Sequence, residues 1–217
     1  MSKKSWIIFI VIVVGLLTSL VIWSKNSSVS LNISGVDPNV IQTASDSNGN
    51  TVDHTDGKQD SKIVLIEYGD FQCPPCGNAH PIIKSLVEKY SDKILFIFRN
   101  FPIPSLHPNA RAAAAAAEAA GLQGKYWEMH NMIFENQSEW SSASATDRTN
   151  IFEGYAKTIG LDTNKFTSDL ALSSIIKKID FDIAIGKSVG VSGTPTFTLN
   201  GEKTDLNNLE SSITSRL

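Results

Sequence analysis

The sequence predicts an α/β domain, and three observations carry that reading. Two continuous apolar runs, residues 63–66 and 94–98, bracket a stretch with helical apolar spacing, so this part reads strand, helix, strand. From about residue 108 to residue 189 the spacing is helical throughout, with Gly121, Gly160 and Gly190 as stops. Residues 196–199 then run into Asn200-Gly201, the strongest short signal for a tight hairpin. Two strands joined through a helix form a parallel pair with a right-handed crossover.

Residues 62–68 read as a central strand. Ile63, Val64, Leu65 and Ile66 are apolar without alternation, as expected when both sheet faces are covered. Glu67 interrupts this run. Its position allows two readings, a proton acceptor beside the motif six residues on or a strand-end carboxylate reaching solvent. Residues 78–90 read as a helix with Ile82, Ile83, Leu86 and Val87 on one stripe, kinked by Pro81. Phe101-Pro102-Ile103-Pro104 is an extended exit from the second strand. Helices follow at 109–120, 125–136 and 146–159, the first built on the row from Ala112 to Ala117. Asp162 is the expected N-cap of a short helix to Leu170, and a longer helix runs from residue 173 or 174 to 189. A short strand at 202–203 and a helix at 205–215, with Leu206, Leu209 and Ile213 on one face, complete the chain.

The chemistry concentrates at the end of the first strand. Cys73 and Cys76 are the chain's two cysteines, in the run Cys73-Pro74-Pro75-Cys76. A Cys-x-x-Cys at a strand-to-helix junction is the arrangement of a redox-active dithiol. With Cys73 as N-cap, its sulfur faces the free N–H groups of the first turn, and the positive end of the helix favours thiolate. Pro74 and Pro75 fall where a helix tolerates proline, and stiffen the loop. Because Pro75 has no N–H, the amide of Cys76 is the expected donor to Cys73. Cys73 is therefore the expected attacking thiol and Cys76 the resolving one. Three other readings exist. A structural disulfide would close a very small loop and stabilise little. A copper or zinc site would add His80, one turn after Cys76, to the two cysteines. A redox-inert interaction domain would use neither sulfur.

The chain has 217 residues, 41% hydrophobic and 19% charged, which suits one ordinary domain with additions. Net charge is -3, and Lys3, Lys4 and Lys25 leave -6 on the rest, with no basic patch for nucleic acid. Residues 6–23 carry no charge, begin and end on Trp6 and Trp23, and are flanked by lysines. That length just spans a bilayer, with aromatics at both interfaces and the first lysines on the cytoplasmic side. Ser28-Val29-Ser30 is a poor cleavage site, so residues 1–25 are expected to be a cytoplasmic stub and uncleaved anchor. Residues 26–57, rich in Ser, Asn, Asp and Gly, read as a flexible tether, with a short edge element weighed for 52–58. Outside the cytoplasm a disulfide persists, so the single pair reads as a working group rather than a staple.

This order of elements, with Cys73-Pro74-Pro75-Cys76 at its head and Thr194-Pro195 before the third strand, resembles the thioredoxin fold. The helical block, about 107–189, resembles the insertion of the DsbA family of extracytoplasmic thiol–disulfide oxidoreductases. The match covers about 58–217. It includes Glu67, Asp70-Phe71-Gln72-Cys73-Pro74, Arg99-Asn100-Phe101-Pro102, His107-Pro108-Asn109-Ala110-Arg111-Ala112, Lys125-Tyr126-Trp127 with His130, and Gly193-Thr194-Pro195-Thr196. The resemblance implies a cis bond between Thr194 and Pro195, packed on the cysteines and offering the Thr194 backbone to a substrate strand. It implies that Glu67 is the buried carboxylate under the site. It implies introduction of disulfides into reduced, unfolded exported proteins by a domain tethered outside the cell membrane. Re-oxidation falls to a membrane quinone-linked thiol oxidase, and no metal or organic cofactor is needed. The best-known member has a histidine between the proline and the second cysteine, and here Pro75 takes its place. A reductase or isomerase of the same fold is the alternative, separated by its reduction potential. A copper chaperone using Cys73, Cys76 and His80 is the rival of another class.

Overall fold

Asn200 and Gly201 both adopt positive φ, 50° and 83°, the backbone that a two-residue hairpin requires. They join β4 (Thr196–Leu199) to β5 (Glu202–Thr204) at one edge of a five-stranded sheet. The computed structural model describes residues 33–217 continuously, and before them residues 6, 9, 10, 12–15, 18 and 31. The span expected at 6–23 lies largely outside the described residues. Among the described residues no helix is long and apolar enough to cross a membrane.

In the folded unit from Ile33 to Leu217, the central strands are β2 (Ile63–Gly69) and β3 (Ile94–Asn100), paired in parallel from Ile63–Ile94 to Gly69–Asn100. Nearly all their residues are buried, which explains why the sequence shows no polar alternation. β1 (His54–Gly57) pairs antiparallel with β3, and β4 pairs antiparallel with β2, giving the order β1-β3-β2-β4-β5. The crossover helix α1 (Pro74–Lys89) begins directly after Cys73, with the two prolines in its first turn.

Between β3 and β4 the chain is helical: α2 (Ala110–Gly121), α3 (Tyr126–Glu135), α4 (Gln137–Trp140), α5 (Ala145–Thr158), α6 (Thr163–Asp169) and α7 (Ser173–Ser188). Seven alanines of α2 are almost completely buried, because a side chain of one carbon lets helices approach closely. Asp162 caps α6, its carboxylate accepting from the Lys165 amide. The four-residue α4 was not expected from the sequence, and its buried Trp140 seats it in the core. The final helix is shorter than expected: a 3-10 turn at Leu206–Asn208 precedes α8 (Leu209–Thr214).

The tether expected at 26–57 requires a correction from Ile33 onward. Residues 33–57 belong to the folded unit, Asn48 and Asp53 are buried, and β1 is a true edge strand. The reason is charge. Arg99, fully buried in β3, donates to the Val40 carbonyl at 2.8 Å and pairs with Asp53 at 2.7 Å. Lys178 of α7, also fully buried, pairs with Asp53 at 2.9 Å and Asp182 at 2.6 Å. A buried cation needs acceptors, and the polar stretch supplies them.

Candidate active site

The end of β2 delivers Cys73 to the head of α1. Cys73 is the N-cap, with extended backbone, and Cys76 sits in the first turn. Both sulfurs are free thiols; Cys73 keeps slight exposure and Cys76 none. The loop is fixed from several sides. The Asp70 carboxylate, itself buried, accepts from the Gln72 amide at 2.8 Å and the Ile103 amide at 2.9 Å. The Asp70 carbonyl accepts from the Cys73 amide at 3.0 Å. The Gln137 side chain donates to the Phe71 and Cys73 carbonyls at 2.7 and 2.9 Å. Gly77 leaves room for that amide, because a Cβ there would stand 2.7 Å from Gln137 Oε1.

The Thr194–Pro195 bond is cis. The Cys73 thiol donates to the Thr194 carbonyl at 3.2 Å, so this loop closes over the Cys73 sulfur. The Thr194 hydroxyl is buried without a partner among the described residues, and is the donor at hand when the sulfur becomes anionic.

The two thiols are driven apart. A hydrogen bond from Cys76 pulls Cys73 down to about 6 against its own burial, with help from Thr194, the Cys76 amide and the charge of His107. Burial pushes the Cys76 thiol far up, and the neighbouring Cys73 and Glu67 push it further. Glu67, buried at the end of β2, is raised to about 8, first by burial and then by the charge on Cys73. One sulfur is thus prepared as an anion and the other as a thiol, with a protonated carboxyl nearby.

The structure brings together Cys73, Cys76, Pro74, Pro75, Thr194, Pro195 and Glu67. It does not join His80 to the cysteines. The His80 ring stacks on Phe134 at 5.1 Å and meets His130 edge-on at 5.4 Å. Among the described residues no group of three His, Cys, Asp or Glu side chains is placed to hold a metal ion. Sequence reasoning gave no role to Asp70, His107 or Gln137. His107 Nδ1 lies 2.8 Å from Asp70 Oδ2, which brings an imidazole from the loop before α2 towards a site whose own motif lacks one. The one signal was an acid three residues before Cys73; its histidine partner is 37 positions away.

A family model described as Thioredoxin matches residues 49–215. The Na(+)/H(+) antiporter NhaA 1 of Salinispora arenicola is 38% identical over 151 residues, covering 70% of this chain and 22% of that protein. The chain thus spans less than a quarter of the length of the first curated relatives it matches. The thiol-disulfide exchange protein alpha-DsbA2 of Wolbachia pipientis superposes with a TM-score of 0.66 at 24% identity, over 76% of this chain and 87% of that one. MdbA, a thiol-disulfide oxidoreductase of Corynebacterium diphtheriae, gives 0.62 at 19% identity, over 86% and 99%. At these identities the structural likeness is one of fold. With a family match over most of its length, the chain belongs to the thioredoxin family, in the DsbA-like form of the fold.

Proposed function

We propose that this chain is a thiol–disulfide oxidoreductase that introduces disulfides into exported proteins. The observation that carries the reading is the placement of the two sulfurs: Cys73 caps the helix under the Thr194 carbonyl with slight exposure, and Cys76 is wholly buried in the first turn, which favours thiolate at Cys73 and thiol at Cys76. A client thiolate attacks the Cys73–Cys76 disulfide at Cys73. The S–S bond breaks, and Cys76 leaves and takes up a proton. The client's second thiolate then attacks its own sulfur in the mixed disulfide and releases Cys73 as a thiolate. Two electrons have passed to the pair, and stabilisation of the Cys73 anion drives that transfer. Glu67 exchanges the proton with Cys76.

The setting is part of the proposal. The uncharged run from Trp6 to Trp23 between lysines supports a single-pass anchor in the cell membrane, with the thioredoxin domain on the outer side. A membrane quinone-linked thiol oxidase is the proposed acceptor of the electrons. Antiport by the NhaA relatives is not carried over. A 151-residue match within 217 residues necessarily includes Cys73 and Cys76, so it coincides with the dithiol domain.

Replacing Cys76 by serine removes the resolving thiol and leaves the attacking one. The expected outcome in the cell is covalent complexes between Cys73 and exported proteins, dissolved by reductant and absent when Cys73 is also replaced. Recovery of no such complexes would contradict the mechanism.

A further inference from the structure

Glu67 poses a problem that the dithiol chemistry does not solve by itself. It is buried, and a proton handed to it from Cys76 needs a way to solvent. Beside it lies a cavity of about 70 Å3, lined by Glu67, His130, Asn131 and His80, with Lys84 and Glu88 towards the surface. That volume accommodates a few waters.

Resting on the oxidoreductase reading above, we propose that this cavity is the proton outlet of the dithiol, with His130 and His80 as its relay groups.

The histidines are otherwise unexplained. His130 sits in an aromatic cage, edge-on to Phe71, Phe98 and Phe134 at 5.3, 4.6 and 5.0 Å. Its Nε2 and that of His80 are both buried without a partner among the described residues. A buried nitrogen left unpaired is destabilising, and a phenylalanine in such a cage would avoid that cost. With Nδ1 donating to Asn131 Oδ1 at 3.1 Å, His130 presents Nε2 as an acceptor. The two imidazole centroids are 5.4 Å apart. His80 Nε2 is 3.9 Å from Glu135 Oε1, whose half-exposed side chain stands in solvent beside Lys84. Burial holds both rings towards the neutral state, His130 at about 3, so each passes a proton on rather than storing it.

The step balances without a further reagent. In the mixed disulfide Cys73 carries no charge, so one of the two causes that keep Glu67 protonated is gone. When Cys76 attacks at Cys73, its proton goes to Glu67 in its ionised fraction, the S–S bond shifts, and the leaving thiolate departs. Glu67 then loses the proton through cavity water and the two imidazoles to bulk. In the opposite direction the same route delivers a proton to the departing Cys76.

The test uses the full chain, reduced, mixed with a large excess of dithiobis(nitrobenzoate) in a stopped-flow instrument. The first coloured thiolate appears when Cys73 attacks the reagent. The second appears when Cys76 closes the internal disulfide, in a phase independent of reagent concentration. Phenylalanine at either histidine keeps a ring in place and removes the nitrogens. In His130→Phe and in His80→Phe the second phase should slow by about tenfold or more, the low end for a positioned proton-transfer group. It should slow further in D2O, while the first phase and its pH midpoint stay unchanged. A second phase at the wild-type rate in both variants, while Glu67→Gln slows it, would overturn the outlet and leave the oxidoreductase reading standing. Equal slowing of both phases would also overturn it, as a general disturbance of the site. Failure of the wild type to give either phase would instead remove the reading on which the proposal rests.

Discussion

Replacing Lys178 by methionine is expected to destabilise the domain by about 3–5 kcal/mol, the cost of removing one partner from a buried ion group. Lys178 is fully buried and holds Asp53 at 2.9 Å and Asp182 at 2.6 Å. Methionine preserves the volume and deletes the charge. Asp53 keeps Arg99, but among the described residues Asp182 keeps only neutral hydrogen-bond donors, the Asn100 amide at 3.1 Å and its side chain at 3.2 Å. Burial already raises Asp182 to about 6, and Lys178 is the main influence holding it down. Without Lys178 the acid keeps its proton to higher pH in the folded state than in the unfolded one. The unfolded chain releases that proton first as pH rises, so stability falls with rising pH. Urea unfolding should therefore show a smaller loss at about pH 5 than at about pH 8. A loss below about 1 kcal/mol at both would mean that the cluster is not what fixes residues 33–57 to the sheet.

Glu67→Gln is expected to do the opposite to stability while impairing turnover. The Glu67 carboxyl is raised from 4.5 to about 8, chiefly by burial. Below about pH 4 it is protonated in both states and costs nothing. Between there and pH 8 the unfolded chain gives up the proton and the native state retains it, so wild-type stability drops by about 1.4 kcal/mol per pH unit. Glutamine resembles the protonated acid and escapes this drop. In the oxidised protein, where no Cys73 thiolate contributes, the variant should match wild type near pH 4 and exceed it by about 3 kcal/mol at pH 7. Equal stability at both pH values would show that the carboxyl is not held neutral by burial. A gain in the variant at pH 7 would mark the acid as a stability cost, which the proposed proton transfer at the dithiol would explain.

The local part of this architecture was legible in the residues. Apolar runs announced β2 and β3, the pair Asn200-Gly201 announced the hairpin, and Cys73-Pro74-Pro75-Cys76 announced the site. Each signal lies within a few positions, and the spacing of the two cysteines is what points to a dithiol. What stayed hidden is non-local. Lys178 and Asp182, four apart, look like an exposed helical pair, and only the sheet shows that they meet Asp53 in the core. The same fact concealed the order of residues 33–57, whose composition resembles a tether until buried cations demand its carboxylate and carbonyls. His107 reaches Asp70 across 37 positions, and Glu67 meets its cavity only when α1 and α3 pack over β2. That packing also removes one of the two readings of Glu67: it is buried, not a strand end reaching solvent.

The sulfur of Cys73 carries the account, and its ionisation is directly measurable. Thiolate absorbance near 240 nm, followed in the reduced protein as pH rises, should show one cysteine titrating at about 6 and the second silent through neutral pH. A first midpoint at about 8.5, the value of an ordinary cysteine, would contradict the account.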